Sequence, residues 1–208
     1  MNIQEFSKIF ETYTVKNVYE EIAEHFNVTR VYTWNWISEF INNIPKGSII
    51  YDIGCGNGRN MQFPGYTFIG IDNCEKFIEI CRKKNLLVNL SNMTKINLPN
   101  NSADAILCIA SFHHLYTIKN RIDSLLEMKR LIKSGGKILL SVWSIQQPKK
   151  TKVTFNKYGN TMVKWNNKYT RFYYIFKLEE ILKLFNDVGL KILDYKYDCG
   201  NEIFILSK

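Results

Sequence analysis

The stretch Tyr51 to Asn60 reads YDIGCGNGRN, and its reading decides the fold. Gly54, Gly56 and Gly58 stand at alternate positions straight after the apolar run SIIYDI (48–53). A chain gives up side chains in this way where something must come close to its backbone. A glycine-rich turn between a parallel strand and a helix is a nucleotide-cofactor site at the carboxyl edge of a sheet. The spacing here is G-x-G-x-G, whereas the dinucleotide fingerprint is G-x-G-x-x-G with a pyrophosphate at the helix N-terminus. Asp52, two residues before the first glycine, would repel a pyrophosphate and suits a ligand with a positive amino group. S-adenosylmethionine has that group, a cationic sulfonium and no phosphate. It is the cofactor expected.

Outward from the turn, short apolar runs alternate with amphipathic segments. The runs are YTFIGID (66–72), LLVNL (86–90), ADAILCIA (103–110) and KILLSVW (137–143); the helical segments between them are CEKFIEICRKK (74–84) and KNRIDSLLEMKRLI (119–132). Continuous apolar strands alternating with helices predict an α/β fold, a mostly parallel sheet with helices on both faces. Asp72 ends the second run, where a carboxylate can accept both hydroxyls of a ribose. After LEEILKLFNDVG (178–189), the runs KILDYKYD (191–198) and EIFILSK (202–208) are separated only by Cys199-Gly200-Asn201, too little for a parallel crossover. They predict a hairpin and an antiparallel last strand. Upstream, VYEEIAEHF (18–26) and TWNWISEFI (33–41) carry helical spacing, broken by Pro45-Lys46-Gly47. One domain is expected over 1–208: a helical substrate cap (1–44), a cofactor core (45–147), and a substrate loop with a C-terminal helix and hairpin (148–208).

Composition narrows the class. The 208 residues are 46% hydrophobic and 23% charged, ordinary for a globular protein. No apolar stretch is long enough to span a membrane, the N-terminus lacks a signal-peptide core, and no membrane partner is expected. Five scattered cysteines without a CxxC pair argue against a disulfide framework and against an internal metal site. A reducing compartment, the cytoplasm or also the nucleus, is expected. The net charge of +9 is a weak pull toward polyanions, weakened further by an Asn-, Ile- and Lys-rich usage that inflates lysine.

DIGCGNGR with GID, LP and GGKILLSVW resembles a class I, Rossmann-like methyltransferase with a seven-stranded sheet. VYEEIAEHFNVTR (18–30), IASFHHL (109–115), SVWSIQQ (141–147), VKW (163–165) and RFYY (171–174) narrow this. With them the chain resembles the eukaryotic tRNA wobble-uridine carboxymethyl methyltransferases, including the methyltransferase domain of the AlkB-homologue-8 type. The resemblance implies methyl transfer to the carboxylate of 5-carboxymethyluridine in the tRNA anticodon loop, and a heterodimer with a small zinc-binding activator subunit.

A carboxylate acceptor is already ionised at neutral pH, so no general base is needed. Arg30 is expected to hold it, because a guanidinium fork matches a carboxylate at two points. His113 and His114 follow the fourth strand, one positioning the uracil or a phosphate and one open to a packing role. Trp143 and Gln147 are candidates for a stacking face and a paired amide. Arg171 and Tyr173 belong to an aromatic-basic cluster able to grip the anticodon loop, with Lys149 and Lys150, beside Lys152 and Lys157, as phosphate contacts. Where many class I enzymes place an acid after the third strand, this chain reads LSNMTKINLP, so Asn92, Met93 or Thr94 takes the adenine. Cys55 and Ala110 complete the expected cofactor contacts. DYKYDCGNEIF also departs from the family's C-terminal run, which puts tRNA contacts at that end in doubt. Two other readings stay open: a small-molecule methyltransferase, and an inert module that keeps the fold to bind RNA or protein.

Overall fold

A computed structural model describes residues 2–151 and 153–208, with Lys150 described only through its backbone. The strands are β1 (Ile49–Ile53), β2 (Thr67–Asp72), β3 (Val88–Leu90), β4 (Ala103–Ile109), β5 (Ile132–Trp143), β6 (Gly159–Trp165), β7 (Tyr169–Ile175), β8 (Lys191–Asp198) and β9 (Asn201–Ser207). Seven of them form one sheet in the order β3-β2-β1-β4-β5-β9-β8. β1 to β5 pair in parallel, while β9 runs antiparallel to both β5 and β8. The expected hairpin closes through Cys199 and Gly200, both at positive φ (45° and 84°), the backbone that a two-residue turn of matching twist requires.

The alternation of side chains along each strand sorts the core into two layers. Tyr51, Ile53, Ile106, Cys108, Ile138 and Leu140 point to one face and pack with α5 (Ile118–Leu131) and α6 (Leu178–Asp187). On the other face, Ile50, Ala105, Leu107 and Leu139 meet Trp36, Ile37, Phe40 and Ile41 of α3 (Asn35–Asn42). Most of these side chains are fully buried, each contributing roughly 1.5–3 kcal/mol of hydrophobic stabilisation.

Three features differ from the sequence expectation. The glycine turn leads only into a 3-10 turn, Arg59–Met61, because the chain re-enters the sheet at Thr67. The face a longer helix would cover is filled by α3, delivered from before β1. Secondly, residues 159–175 form a hairpin, β6 against β7, in place of part of the expected substrate loop. Its turn holds Asn166 and Asn167 at positive φ (49° and 54°), a conformation that asparagine tolerates. Thirdly, β5 begins at Ile132 and absorbs Ser134-Gly135-Gly136 as an irregularity opposite Ala103–Ala105.

Before β1, α1 (Ile3–Glu11) continues through a π-helical turn (Thr12–Lys16) into α2 (Asn17–Thr29). The start of α4 (Glu75–Lys83) is capped across space by α2: the Glu20 carboxylate accepts from the amides of Glu75 (2.7 Å) and Lys76 (3.1 Å). Lys84 donates to Asn27 Oδ1 (2.7 Å) and to the carbonyl of Asn57 (2.8 Å). Asn57 in turn donates to the carbonyl of Arg30 (3.0 Å). These bonds lock the end of α2 onto the glycine turn. No helix among the described residues is long and apolar enough to cross a membrane.

Candidate active site

The carboxyl ends of β1, β2 and β4 open into a cavity roofed by α2 and the β6–β7 hairpin. At its floor Gly54 has φ 76°, and a Cβ there would lie 2.4 Å from the Cβ of Ser111. Ser111 is delivered by Ala110, itself at positive φ (51°), and donates to the carbonyl of Ile53 (3.0 Å). A non-glycine residue held in that region is strained, and such strain gathers at functional sites. Gly58 serves packing: its missing Cβ makes room for Leu86 and Cys81, and it does not line the cavity.

Asp72 lines the cavity, and its two oxygens accept from the amides of Gly56 and Cys74 (2.9 Å each). The carboxylate therefore fixes the glycine turn and retains lone pairs toward the cavity. Cys55, Gly56, Asn92, Met93 and Ala110 line it as expected. Thr94 does not: its amide and hydroxyl bond Asn92 Oδ1 (3.0 and 2.9 Å), holding the turn in shape. Asp52 is also displaced from the expected direct contact. It is fully buried beneath the turn, outside the cavity wall, and among the described residues its oxygens meet no well-formed hydrogen bond, only a weak interaction with the Asn60 side chain. Burial pushes its pKa up to about 7, against the opposing pull of Arg59.

The other end of the cavity holds Tyr19, Arg30, His114, Trp143, Trp165, Arg171 and Tyr173. His114 has a determined proton arrangement. Nδ1 lies 2.7 Å from the Phe172 carbonyl, which can only accept, so Nδ1 donates and Nε2 accepts from the Tyr19 hydroxyl at 2.9 Å. Tyr19 in turn accepts from Arg171 Nη1 (3.0 Å). Burial, helped by the Arg171 charge, pushes the His114 pKa down to about 3. His113 takes the packing role: it is fully buried, stacks on Tyr173, accepts from the Trp143 amide at Nδ1 (3.1 Å) and is absent from the cavity wall. Burial holds it neutral as well.

Arg30 is exposed at the mouth, its guanidinium 5.0 Å from the centre of the Trp165 ring. Gln147 is drawn away from the cavity, because its amide donates to the carbonyls of Ser144 and Gly200 (2.8 Å each). Arg171 and Tyr173, expected to grip RNA at the surface, are buried (4% and 2% exposed) because β7 carries them inward. Lys149 and Lys157 remain exposed, whereas Lys152 and the Lys150 side chain lie outside the described residues. Sequence reasoning missed Tyr19, Arg59 and Trp165. Trp165 had a signal, since Val163 and Trp165 stand on either side of the polar Lys164 just ahead of an Asn-Asn turn.

A methyltransferase domain model matches residues 51–140. The tRNA (carboxymethyluridine(34)-5-O)-methyltransferase of Schizosaccharomyces pombe is 31% identical, over 96% of this chain and 98% of that protein. The chain belongs to the tRNA carboxymethyluridine methyltransferase family. Another family member, from Macaca fascicularis, is 37% identical over 69% of this chain, a match that spans only 22% of that longer protein. Among solved structures, a chain of the complex between the Haloferax volcanii Trm112 methyltransferase activator and a putative methyltransferase superposes with a TM-score of 0.72 at 14% identity, covering 93% of this chain and 96% of that one. That likeness shows the methyltransferase-type fold, and family membership rests on the sequence.

Proposed function

We propose that this chain transfers a methyl group from S-adenosylmethionine to the carboxylate of carboxymethyluridine in the tRNA anticodon loop, forming the methyl ester. The observation that carries the reading is the protonation of the site. His114 has both ring nitrogens committed, His113 is buried and out of reach, and the guanidiniums of Arg30 and Arg171 are free of carboxylate partners among the described residues. Such a site suits an acceptor that is anionic from the start and needs no base.

The residues present fit the cofactor, which supplies the methyl group on a cationic sulfur. Asp72 stands where ribose hydroxyls need an acceptor, and Met93 and Ile71 offer an apolar wall for an adenine. Arg59, on the cavity wall and 4.4 Å from the Trp34 ring centre, suits the cofactor's carboxylate, and Asp52 beneath the turn would ionise more readily once an ammonium sits above it. Among the described residues no lysine lines the cavity to favour a pyrophosphate; Lys84 reaches the turn from behind and is held by the carbonyl of Asn57. Arg30 orients the acceptor carboxylate at the mouth, Trp143 and Trp165 flank the base, and closure of α2 over the cavity keeps water from the reacting oxygen.

Of the expected cap and substrate loop, α1, α2 and the β6–β7 hairpin form the substrate-binding parts, whereas α3, α6 and the C-terminal hairpin belong to the core around the sheet. The exposed Lys149, Lys157, Lys164 and Lys168 offer phosphate contacts to the anticodon loop. A small zinc-binding activator subunit adds a strand to β3. This strand lies at the sheet edge, exposes Leu90 (48%), follows an exposed Leu87 (61%), and has no lysine or proline guarding it. Cys55, Cys74, Cys81 and Cys108 are buried thiols, in keeping with a reducing cytoplasm or nucleus.

Incubation with methyl-labelled cofactor and undermodified tRNA tests the reading. The label should enter tRNA and be released by mild alkali, as an ester is. Alkali-stable label would mean methylation of a base or ribose and would refute the assignment. Size-exclusion chromatography of a co-expressed activator tests the partner; a fully active lone monomer would refute it.

A further inference from the structure

We propose that Arg171 is a specificity-determining residue, whose buried guanidinium receives the carboxylate of the acceptor base. This inference rests on the reading of the acceptor just given and goes on to say which group recognises it.

Arg171 is 4% exposed, yet it has no carboxylate within ion-pair distance among the described residues. Its Nη1 donates to the Tyr19 hydroxyl (3.0 Å), the Tyr173 hydroxyl also interacts with the guanidinium, and Nε is buried with no partner among the described residues. Its guanidinium carbon lies 4.7 Å from the Trp165 ring centre, 5.3 Å from Tyr173 and 5.4 Å from Tyr19. The rings hold the fork in one orientation and keep water off it. Removing a cation from water without a counter-ion is costly, so the arrangement calls for an anion from outside the chain.

A second buried arginine shows what this chain does when the role is structural. Arg121, 3% exposed, donates to the carbonyls of Leu115 and Tyr116 (3.1 and 3.0 Å) and lies 4.0 Å from Glu180. Arg171 has no such set and lines the cavity.

The anion is the base carboxylate and not a backbone phosphate. The exposed lysines offer phosphate contacts on the outside, whereas Arg171 is buried on β7. Only a group projecting from an extruded base reaches that depth. Because Nη1 is taken by Tyr19 and Nε is shut off from the cavity, Nη2 is the nitrogen left to donate, and donors prefer a carboxylate to an amide whose NH2 would face them. Arg171 therefore separates carboxymethyluridine from its neutral carbamoylmethyl analogue, and Arg30 meets the same carboxylate from the mouth.

The test uses two synthetic anticodon stem-loops, identical except for carboxymethyluridine or carbamoylmethyluridine at the wobble position. Binding is measured with S-adenosylhomocysteine present, on the full chain together with any subunit that co-purifies. The wild type should prefer the acid at least tenfold. Arg171→Gln should reduce the preference to about twofold or less, and Arg171→Lys should retain an intermediate preference, with S-adenosylhomocysteine affinity unchanged in both. If Arg171→Gln does not fold, the intermediate preference of Arg171→Lys carries the test. A preference unchanged in the variants overturns the proposal, and so does equal weakening of both stem-loops, which would mark a phosphate contact or a packing role. A wild type that binds both equally would instead reject the acceptor reading itself, before any variant is considered.

Discussion

Replacing Tyr19 with phenylalanine removes one oxygen and breaks two hydrogen bonds at the centre of the site. The Tyr19 hydroxyl donates to His114 Nε2 at 2.9 Å and accepts from Arg171 Nη1 at 3.0 Å. A neutral bond contributes about 1 kcal/mol and one to a charged group about 1.5–3 kcal/mol, so the pair is worth roughly 2.5–4 kcal/mol if both partners stay dry. Water can enter from the cavity, which brings the expected loss to about 2 kcal/mol. In a domain of this size each kcal/mol lowers Tm by about 2–4 °C, so Tyr19→Phe should melt about 4–8 °C below the wild type by calorimetry. The freed Arg171 should also lower kcat/KM for tRNA while S-adenosylmethionine affinity stays the same, since Tyr19 stands at the acceptor end of the cavity. A Tm within about 1 °C of wild type, with unaltered kcat/KM, would refute the claim that this hydroxyl organises the site.

Other outcomes follow from the same geometry. Arg30→Lys should lose most of the turnover with cofactor affinity intact, because an ammonium cannot make the planar two-point contact; wild-type turnover would remove Arg30 from the acceptor site. Asp72→Ala should weaken S-adenosylmethionine at least tenfold by calorimetry and also lower Tm, since its carboxylate holds both the amide of Gly56 and that of Cys74; unchanged affinity would mean that the ribose lies elsewhere. Acid should destabilise the fold. His114, pushed down to about 3 by burial, titrates near 6.5 when unfolded, so below pH 6.5 the unfolded chain binds a proton that the folded chain refuses. Stability then falls by about 1.4 kcal/mol per pH unit down to about pH 3, and His113 acts in the same direction. Asp52, raised to about 7 by burial, opposes this between its unfolded value near 4 and 7, where the folded chain binds the extra proton. Asp52→Asn should therefore steepen the acid loss in urea titrations; an unchanged slope would contradict its burial.

The sheet was legible because its signals are local. YDIGCGNGRN carries the turn in consecutive residues, and the short gap at Cys199-Gly200-Asn201 leaves a hairpin as the only connection. The substrate end was less legible because it is assembled from distant segments. Arg171 reads like a phosphate contact by residue type, and only the β6–β7 pairing turns it inward to Tyr19, 152 positions away in sequence. Gln147 looked available until the carbonyl of Gly200 arrived beside it from the C-terminal hairpin. Asp52 was recognised as an acid near the turn, but strand register decides its side: it falls between Gly70 and Leu107, beneath the turn and away from the cavity. His113 and His114 are adjacent in sequence, and the 3-10 turn Phe112–His114 sends one under the loop and the other to the cavity wall.

Nucleoside mass spectrometry tests the central claim most directly. tRNA isolated from cells lacking the methyl ester would be incubated with this chain, a candidate activator and S-adenosylmethionine, then digested and resolved. Carboxymethyluridine should decline while a nucleoside heavier by one methylene, and reverting to the acid under mild alkali, rises in equal amount. Carboxymethyluridine left untouched, with a methyl group appearing on any other nucleoside or on a small molecule, would contradict the account.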